Sequence, residues 1–376
     1  MKRRQLTAVL CMLAMGVSLT GCDALKPLDG DGMVNWDDTD EDPIKDNTDN
    51  PSQGTDNPVT SNDPAGNDNN GGTEETVSNE DLFEAFFKDE AKVKFNNIIA
   101  DENTSYTYSE MMDAINKSVI DEYWIEEEDG RTVTFTSSYA YIDCGNDGIT
   151  DLAIRVDADI KGDNNWLETK HEYFVIMNLE DGLVCCASVN GAYRSWANVN
   201  KYGYLTTGGS GGANLYVYEG GFVDAKGNYI FDYYFEEHMG YSEPMVPIYS
   251  LPSDKRKDDI YKEDFDPEGY TVDVYNFEKY PEYPNDVWTE NGIDQAKQDA
   301  YDKKYDEWQS KHIFCFYDSE GNGAEPSGDV KKYLDKNGVK YYSPEEAENM
   351  LAEHHKELGI SKEIETADEP EWQIIG

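Results

Sequence analysis

Apolar residues recur every three or four positions from Ser78 to Trp124, and every second position from Arg131 onward. In SNEDLFEAFF, Leu82, Phe83, Phe86 and Phe87 make one helical stripe, and Ser78 with Asp81 three residues on supplies an N-cap. TYSEMMDAINKSVIDEYW predicts a second helix with Met111, Met112, Ile115, Val119 and Ile120 on its buried face. The period then shortens. RTVTFTSSYAYID alternates Val133, Phe135, Tyr139 and Tyr141 with small polar residues, and DLAIRVDADI alternates Leu152, Ile154, Val156, Ala158 and Ile160 with Asp151, Arg155, Asp157 and Asp159. Both read as strands with one wet face. HEYFVIMNL, LVCCASV, ANLYVYE and YIFDYYFE add more, joined by turns such as LEDGL and DAKGN. Short connections give an antiparallel meander, so the fold class predicted is α+β, with helices flanking the meander.

After the meander the pattern weakens, with Tyr interleaved among Pro, Asp and Glu in short irregular strands. A third helix is predicted in NGIDQAKQDAYDKKYDEWQSKHI, with Ile293, Ala296, Ala300, Tyr301, Tyr305 and Trp308 along one side, followed by a strand in IFCFYD. SPEEAENMLAEHHKELGI is a last helix, with Ser343 as N-cap, Pro344 at the first turn, Glu346 completing a capping box and Gly359 as terminator. Residues 80–376 are read as one globular domain, with 240–252 the candidate seam if there are two.

Residues 22–79 show neither period. They are rich in Asp, Asn, Gly, Pro and Thr, and too poor in apolar side chains to offset the entropy of ordering, so they are read as a disordered acidic tether. Before them, Lys2, Arg3 and Arg4 precede the apolar run LTAVLCMLAMGVSL, too short to span a bilayer, and residues 1–21 read as an export signal. The run ends in LTGC. This resembles the lipobox of bacterial lipoproteins, and the resemblance, confined to the first 22 residues, implies acylation of the Cys22 thiol and cleavage ahead of it. It further implies a protein held on the extracytoplasmic face of a membrane, since each buried methylene contributes about 0.8 kcal/mol. With 78 acidic against 31 basic residues, and a formal net charge of -47, the balance repels nucleic acid and anionic headgroups and argues against both as partners.

One short stretch carries candidate metal chemistry. In DCGNDGITD, the carboxylates of Asp143, Asp147 and Asp151 fall at positions one, five and nine, with Gly148 at six and the Ile149 carbonyl at seven, an order that suits calcium. Gly145 and Ile154 occupy positions where an EF-hand has acidic ligands. The stretch resembles the loops of FG-GAP-type repeats, in a single copy, and that resemblance implies at most weak calcium binding. The residues equally make a tight turn through Asn146, Asp147 and Gly148. No other cofactor is expected.

GGSGG, Gly208–Gly212, satisfies the pattern of a serine nucleophile elbow, but an alternating strand follows where a helix is required, so Ser210 reads as a solvated hydroxyl. His354 falls on the apolar stripe of the last helix as a structural residue. Cys185 and Cys186 are adjacent on a strand and point to opposite faces; with Cys144 and Cys315 they leave room for one disulfide.

Two function classes follow. The first is a tethered, non-enzymatic surface protein that binds a glycan or protein ligand, to which 27 tyrosines and seven tryptophans are suited. The second is an envelope or polysaccharide hydrolase using paired carboxylates. An aromatic platform would favour the first, and two carboxylates facing across a cleft the second.

Overall fold

The Ser78 side chain accepts a hydrogen bond from the Asp81 amide while the Asp81 carboxylate returns to the Ser78 amide, so helix α1 runs Asn79–Phe87. Thr107 and Glu110 build the same reciprocal cap on α2, Tyr108–Glu122. Phe83 and Phe86 are fully enclosed, as their spacing predicts. On α2 the buried residues are Met111, Ile115 and Val119, an i, i+4, i+8 row, while Ile120 has rotated out to the surface. The structure is a computed structural model. It describes residues 78–376 apart from 97–102, 124, 126–129, 163–166, 193, 212–214, 239–269, 285–286, 290–291, 319 and 376. The export signal, Cys22, the tether up to residue 77 and the seam at 240–252 lie outside the described residues, all of which fall in one compact unit.

Strands β1 (Val93–Asn96), β2 (Asn103–Tyr106), β3 (Thr132–Ile142), β4 (Asp151–Lys161), β5 (Leu167–Leu179) and β6 (Gly182–Gly191) form the first sheet. Strands β3 to β6 are the antiparallel meander, and β1 joins its far edge parallel to β6. One face of this sheet, with Leu152, Ile154, Val156 and Ile160 of β4 and Phe174 and Ile176 of β5, packs on α1 and α2.

The meander then continues as a second sheet. Strands β7 (Ser195–Val199), β8 (Tyr204–Ser210), β9 (Leu215–Val223), β10 (Tyr229–His238) and β11 (Thr271–Asn276) follow each other antiparallel. Gly191 sits at the corner between the sheets, where an added Cβ would lie 2.7 Å from Ala197 N. The sheets meet through Ala153, Val175, Met177 and Ala187 on one side and Val199, Leu205 and Val223 on the other. This corrects the expectation that β4 has a wet face along its whole length: Asp151 is 2% exposed and Ala153 is buried. Alternation along one strand does not register a second sheet lying on it.

A small pair, β12 (Trp288–Thr289) and β13 (Gly292–Ile293), leads into α3, Gln295–Gln309, capped by Asp294. Ile293 therefore lies outside the helix and is exposed, whereas Trp308 is buried. β14 (Ile313–Tyr317) pairs with β11; α4 (Gly328–Asn337) covers one face there and α5 (Pro344–Leu358) the other. β15 (Tyr341–Tyr342) extends this edge in parallel, α6 (Lys362–Glu365) closes over Tyr204 and Phe222, and β16 (Gln373–Ile374) returns to pair with β3. Cys144, Cys185, Cys186 and Cys315 are free thiols, and Cys185 and Cys186 pack on opposite sides of the first sheet.

Candidate ligand cleft

Alternation along β9 places Leu215, Val217 and Glu219 on one face of the second sheet. β10 lies beside it with a register shift between Phe231 and Tyr233. The extra residue, Asp232, changes the parity of the strand, so Tyr229 and Phe231 before it and Tyr234 and Glu236 after it face the same way. That face floors an open cleft of about 1220 Å³. One wall is β6, with Val184, Ala187 and Val189; the other is Tyr280 with Tyr301, Tyr305 and Trp308, which follow one stripe of α3. Trp196 and Tyr229 also line the cleft and are 44% and 40% exposed. Both lie over glycines that make room for them: an added Cβ on Gly208 would come 2.7 Å from the Trp196 indole, and one on Gly221 would meet the Tyr229 hydroxyl.

The aromatic side chains are held by one another and by a few polar bonds. Tyr234 meets Trp308 edge-on at 5.0 Å, Tyr305 lies 5.4 Å from the same indole, and Trp308 Nε1 donates to Glu278 O at 2.6 Å. Glu236, buried, accepts from the Tyr234 hydroxyl at 2.6 Å and lies 2.7 Å from His238 Nε2. Glu219 differs. Among the described residues its side chain has no hydrogen bond and no ion pair, and burial raises its pKa against the opposing pull of Lys279. Lys279 itself is 3.1 Å from Glu282. Burial, with the Glu219 charge next, pushes the Tyr229 and Tyr280 hydroxyls up to about 12. At the end of the cleft, Glu122 is 2.5 Å from Lys170 Nζ and Glu168 accepts from Tyr123 at 2.8 Å. The site thus offers ring faces for stacking, phenolic hydroxyls for hydrogen bonding and the half-buried carboxylate of Glu219.

The residues singled out as a calcium loop lie elsewhere, between β3 and β4. Asp143 Oδ1 accepts from the amides of Asp147 at 2.8 Å and Gly148 at 3.1 Å, and Asp147 Oδ1 accepts from Ile149 at 2.8 Å. Asp151 turns inward, where Oδ2 accepts from the Cys144 amide at 3.0 Å; burial, with smaller contributions from Asp147 and Asp143, raises it to about 6. The backbone is left-handed at Gly145, Asn146 and Gly148, and Ile149 is 53% exposed. Among the described residues no group of three or more His, Cys, Asp or Glu side chains is arranged to hold a metal.

Ser210 ends β8, its hydroxyl accepting from Arg194 at 2.7 Å, and the chain goes on to β9 and not to a helix. His354 stacks on Phe277 at 4.7 Å, and its Nε2 lies 2.9 Å from Asp232 O, a structural position as its place on the stripe predicts. The residues missed by sequence reasoning are Glu219, Tyr229, Tyr234 and Tyr280. Their signal was only the density of tyrosine around β9, β10 and residue 280, because a bulge that reverses the facing of half a strand leaves no mark in the alternation. Comparison with protein families, with curated proteins and with solved structures finds no match to this chain.

Proposed function

We propose that the chain is a lipid-anchored extracytoplasmic protein that binds a carbohydrate chain in the tyrosine-walled cleft. The anchor rests on Cys22 and its LTGC context. The binding reading rests on the cleft, where exposed Trp196 and Tyr229 border a trough whose far wall is Tyr280 and Tyr301. Sugar rings present apolar faces with hydroxyls around their edge, which match aromatic faces flanked by phenols and carboxylates. An open trough of this size accommodates a chain better than a single small molecule. The acidity of the protein disfavours polyanionic glycans, leaving neutral or cationic ones.

The hydrolase reading is the alternative, favoured by one observation: the raised pKa of Glu219 is what a general acid needs. A glycosidase needs a second carboxylate as well. The one beside it on the same sheet face, Glu236, is held by Tyr234 and His238.

Titration of the intact chain with hexasaccharides of glucan, xylan and chitin type, followed by tryptophan fluorescence and by release of reducing ends, tests both readings. We expect saturable binding without turnover, weakened about tenfold or more by Trp196→Ala or Tyr229→Ala. Absence of binding throughout the panel would remove the carbohydrate reading, and release of reducing ends would replace it with the hydrolase.

A further inference from the structure

Gly208 and Gly221 stand inside β8 and β9, and neither has the left-handed backbone that demands glycine. Glycine in such a place weakens a strand, so its use points to something that comes close above it. Trp196 is directly opposite Gly208 on β7, and a Cβ added to Gly208 would be 2.7 Å from both Cε2 and Nε1 of the indole and 2.8 Å from Cζ2. Near-equal distances to three ring atoms mean that the indole lies broadside on the glycine. A Cβ on Gly221 would meet the Tyr229 hydroxyl and lie 2.7 Å from Cζ and 2.8 Å from Cε2, so the far half of that ring covers this glycine from β10.

Elsewhere in the sheet the same device serves the core: Gly220 lies under Tyr204, which is 3% exposed. Gly208 and Gly221 are themselves buried, yet Trp196 and Tyr229 above them reach solvent. Backbone thus occupies the inner side of each ring and leaves the outer side to water. A ring laid flat on a sheet with one free face accepts a flat apolar partner and rejects one with a protruding polar group. A pyranose whose substituents are all equatorial presents such a face. An axial hydroxyl would be pressed against the ring, losing water without gaining a hydrogen bond.

We propose that Gly208 and Gly221 are positioning residues of the cleft, each letting an aromatic ring lie flat as a one-faced stacking platform, and that the platforms select chains of equatorially substituted pyranoses. Resting on the carbohydrate reading of the cleft, this narrows its ligand to chains of the glucan, xylan and chitin type and makes two residues without side chains determinants of specificity.

The test is calorimetric, on the intact chain, with cellohexaose and β-1,4-mannohexaose, which differ only in whether the hydroxyl at C2 is equatorial or axial. Cellohexaose should bind about tenfold or more tighter. Gly208→Ala and Gly221→Ala, which push the rings off the sheet, should each weaken cellohexaose about tenfold. Because both rings are free to swing outward, the urea midpoint of each variant should stay near that of wild type. Should Gly208→Ala lower the midpoint, adding Trp196→Ala, which removes the clash, should restore it. In that Trp196→Ala background Gly208→Ala should cost no further affinity, since a glycine that acts through the ring has nothing left to position. Equal binding of the two hexasaccharides, glycine variants that bind as wild type does, or losses that add to that of Trp196→Ala overturn the platforms and leave the carbohydrate cleft standing. Binding of neither hexasaccharide overturns both.

Discussion

Asp151 stands in the sequence as one more acidic residue on the polar side of a strand, and in the fold it is shut between two sheets. Its ordinary value of 3.8 rises to about 6, so the folded protein holds this proton more tightly than the unfolded chain does. Its contribution to stability is therefore fully present below the unfolded value and lost as the pH rises through the folded one. Asp151→Asn preserves an acceptor for the Cys144 amide and removes the buried charge. At neutral pH the variant should be more stable than wild type by on the order of 2 kcal/mol, with the advantage shrinking toward about pH 4, as urea denaturation across that range would measure. The same loop carries the weak calcium expectation, although among the described residues no group of three or more His, Cys, Asp or Glu side chains is arranged to hold a metal. If Asp143, Asp147, Asp151 and the Ile149 carbonyl bind the ion at ~10⁻⁴ M, millimolar calcium should add about 1 kcal/mol, a gain that Asp147→Asn loses and that melting in calcium against chelator would reveal.

At the level of strands and helices, the bulge of β10 joins two functions. It aims Tyr229, Phe231, Tyr234 and Glu236 into the cleft, and it drives Asp232, 0% exposed, toward α5. There Asp232 Oδ2 accepts from the Tyr204 hydroxyl and meets His355 Nε2, while Oδ1 has no hydrogen bond among the described residues. His354 holds the backbone of the same residue. Removing the imidazole by His355→Ala leaves a fully enclosed carboxylate with one partner fewer, which should cost about 2–3 kcal/mol in chemical denaturation. Hydrogen exchange should show the loss of protection beginning in α5 and α6, because this network and a few apolar contacts hold them to the sheet. Helix ends were legible in sequence for a local reason: Ser78 with Asp81 and Ser343 with Glu346 each close a cap within four residues. The bulge was not, because its evidence is the register of a neighbouring strand.

Over the whole chain, charge and the proposed anchorage would set where the fold operates. The formal net charge of -47 disfavours polyanions, and a thioether-linked lipid on Cys22 would confine the cleft to the membrane surface. Cys22→Ser should abolish incorporation of a fatty-acid analogue in metabolic labelling and move the protein to the soluble fraction; label retained by the variant would end the anchor assignment. Two sheets made from one meander are equally a property of the whole. The short turns specify which strands are neighbours, yet they carry no information on where the ribbon folds over itself at Gly191.

Helices α1, α2 and α5, the meander strands β3 to β6 with β9 and β10, the α+β class and the structural place of His354 were all written in residues near one another, because caps, turns and periodicity act over a few positions; β1, β2, β7 and β8 were not. The facing of Asp151 and the cleft between the second sheet and α3 were settled only by the tertiary structure. Each depends on which distant surface covers a side chain, and therefore on whether water, a carboxylate's partner or a ligand completes its surroundings.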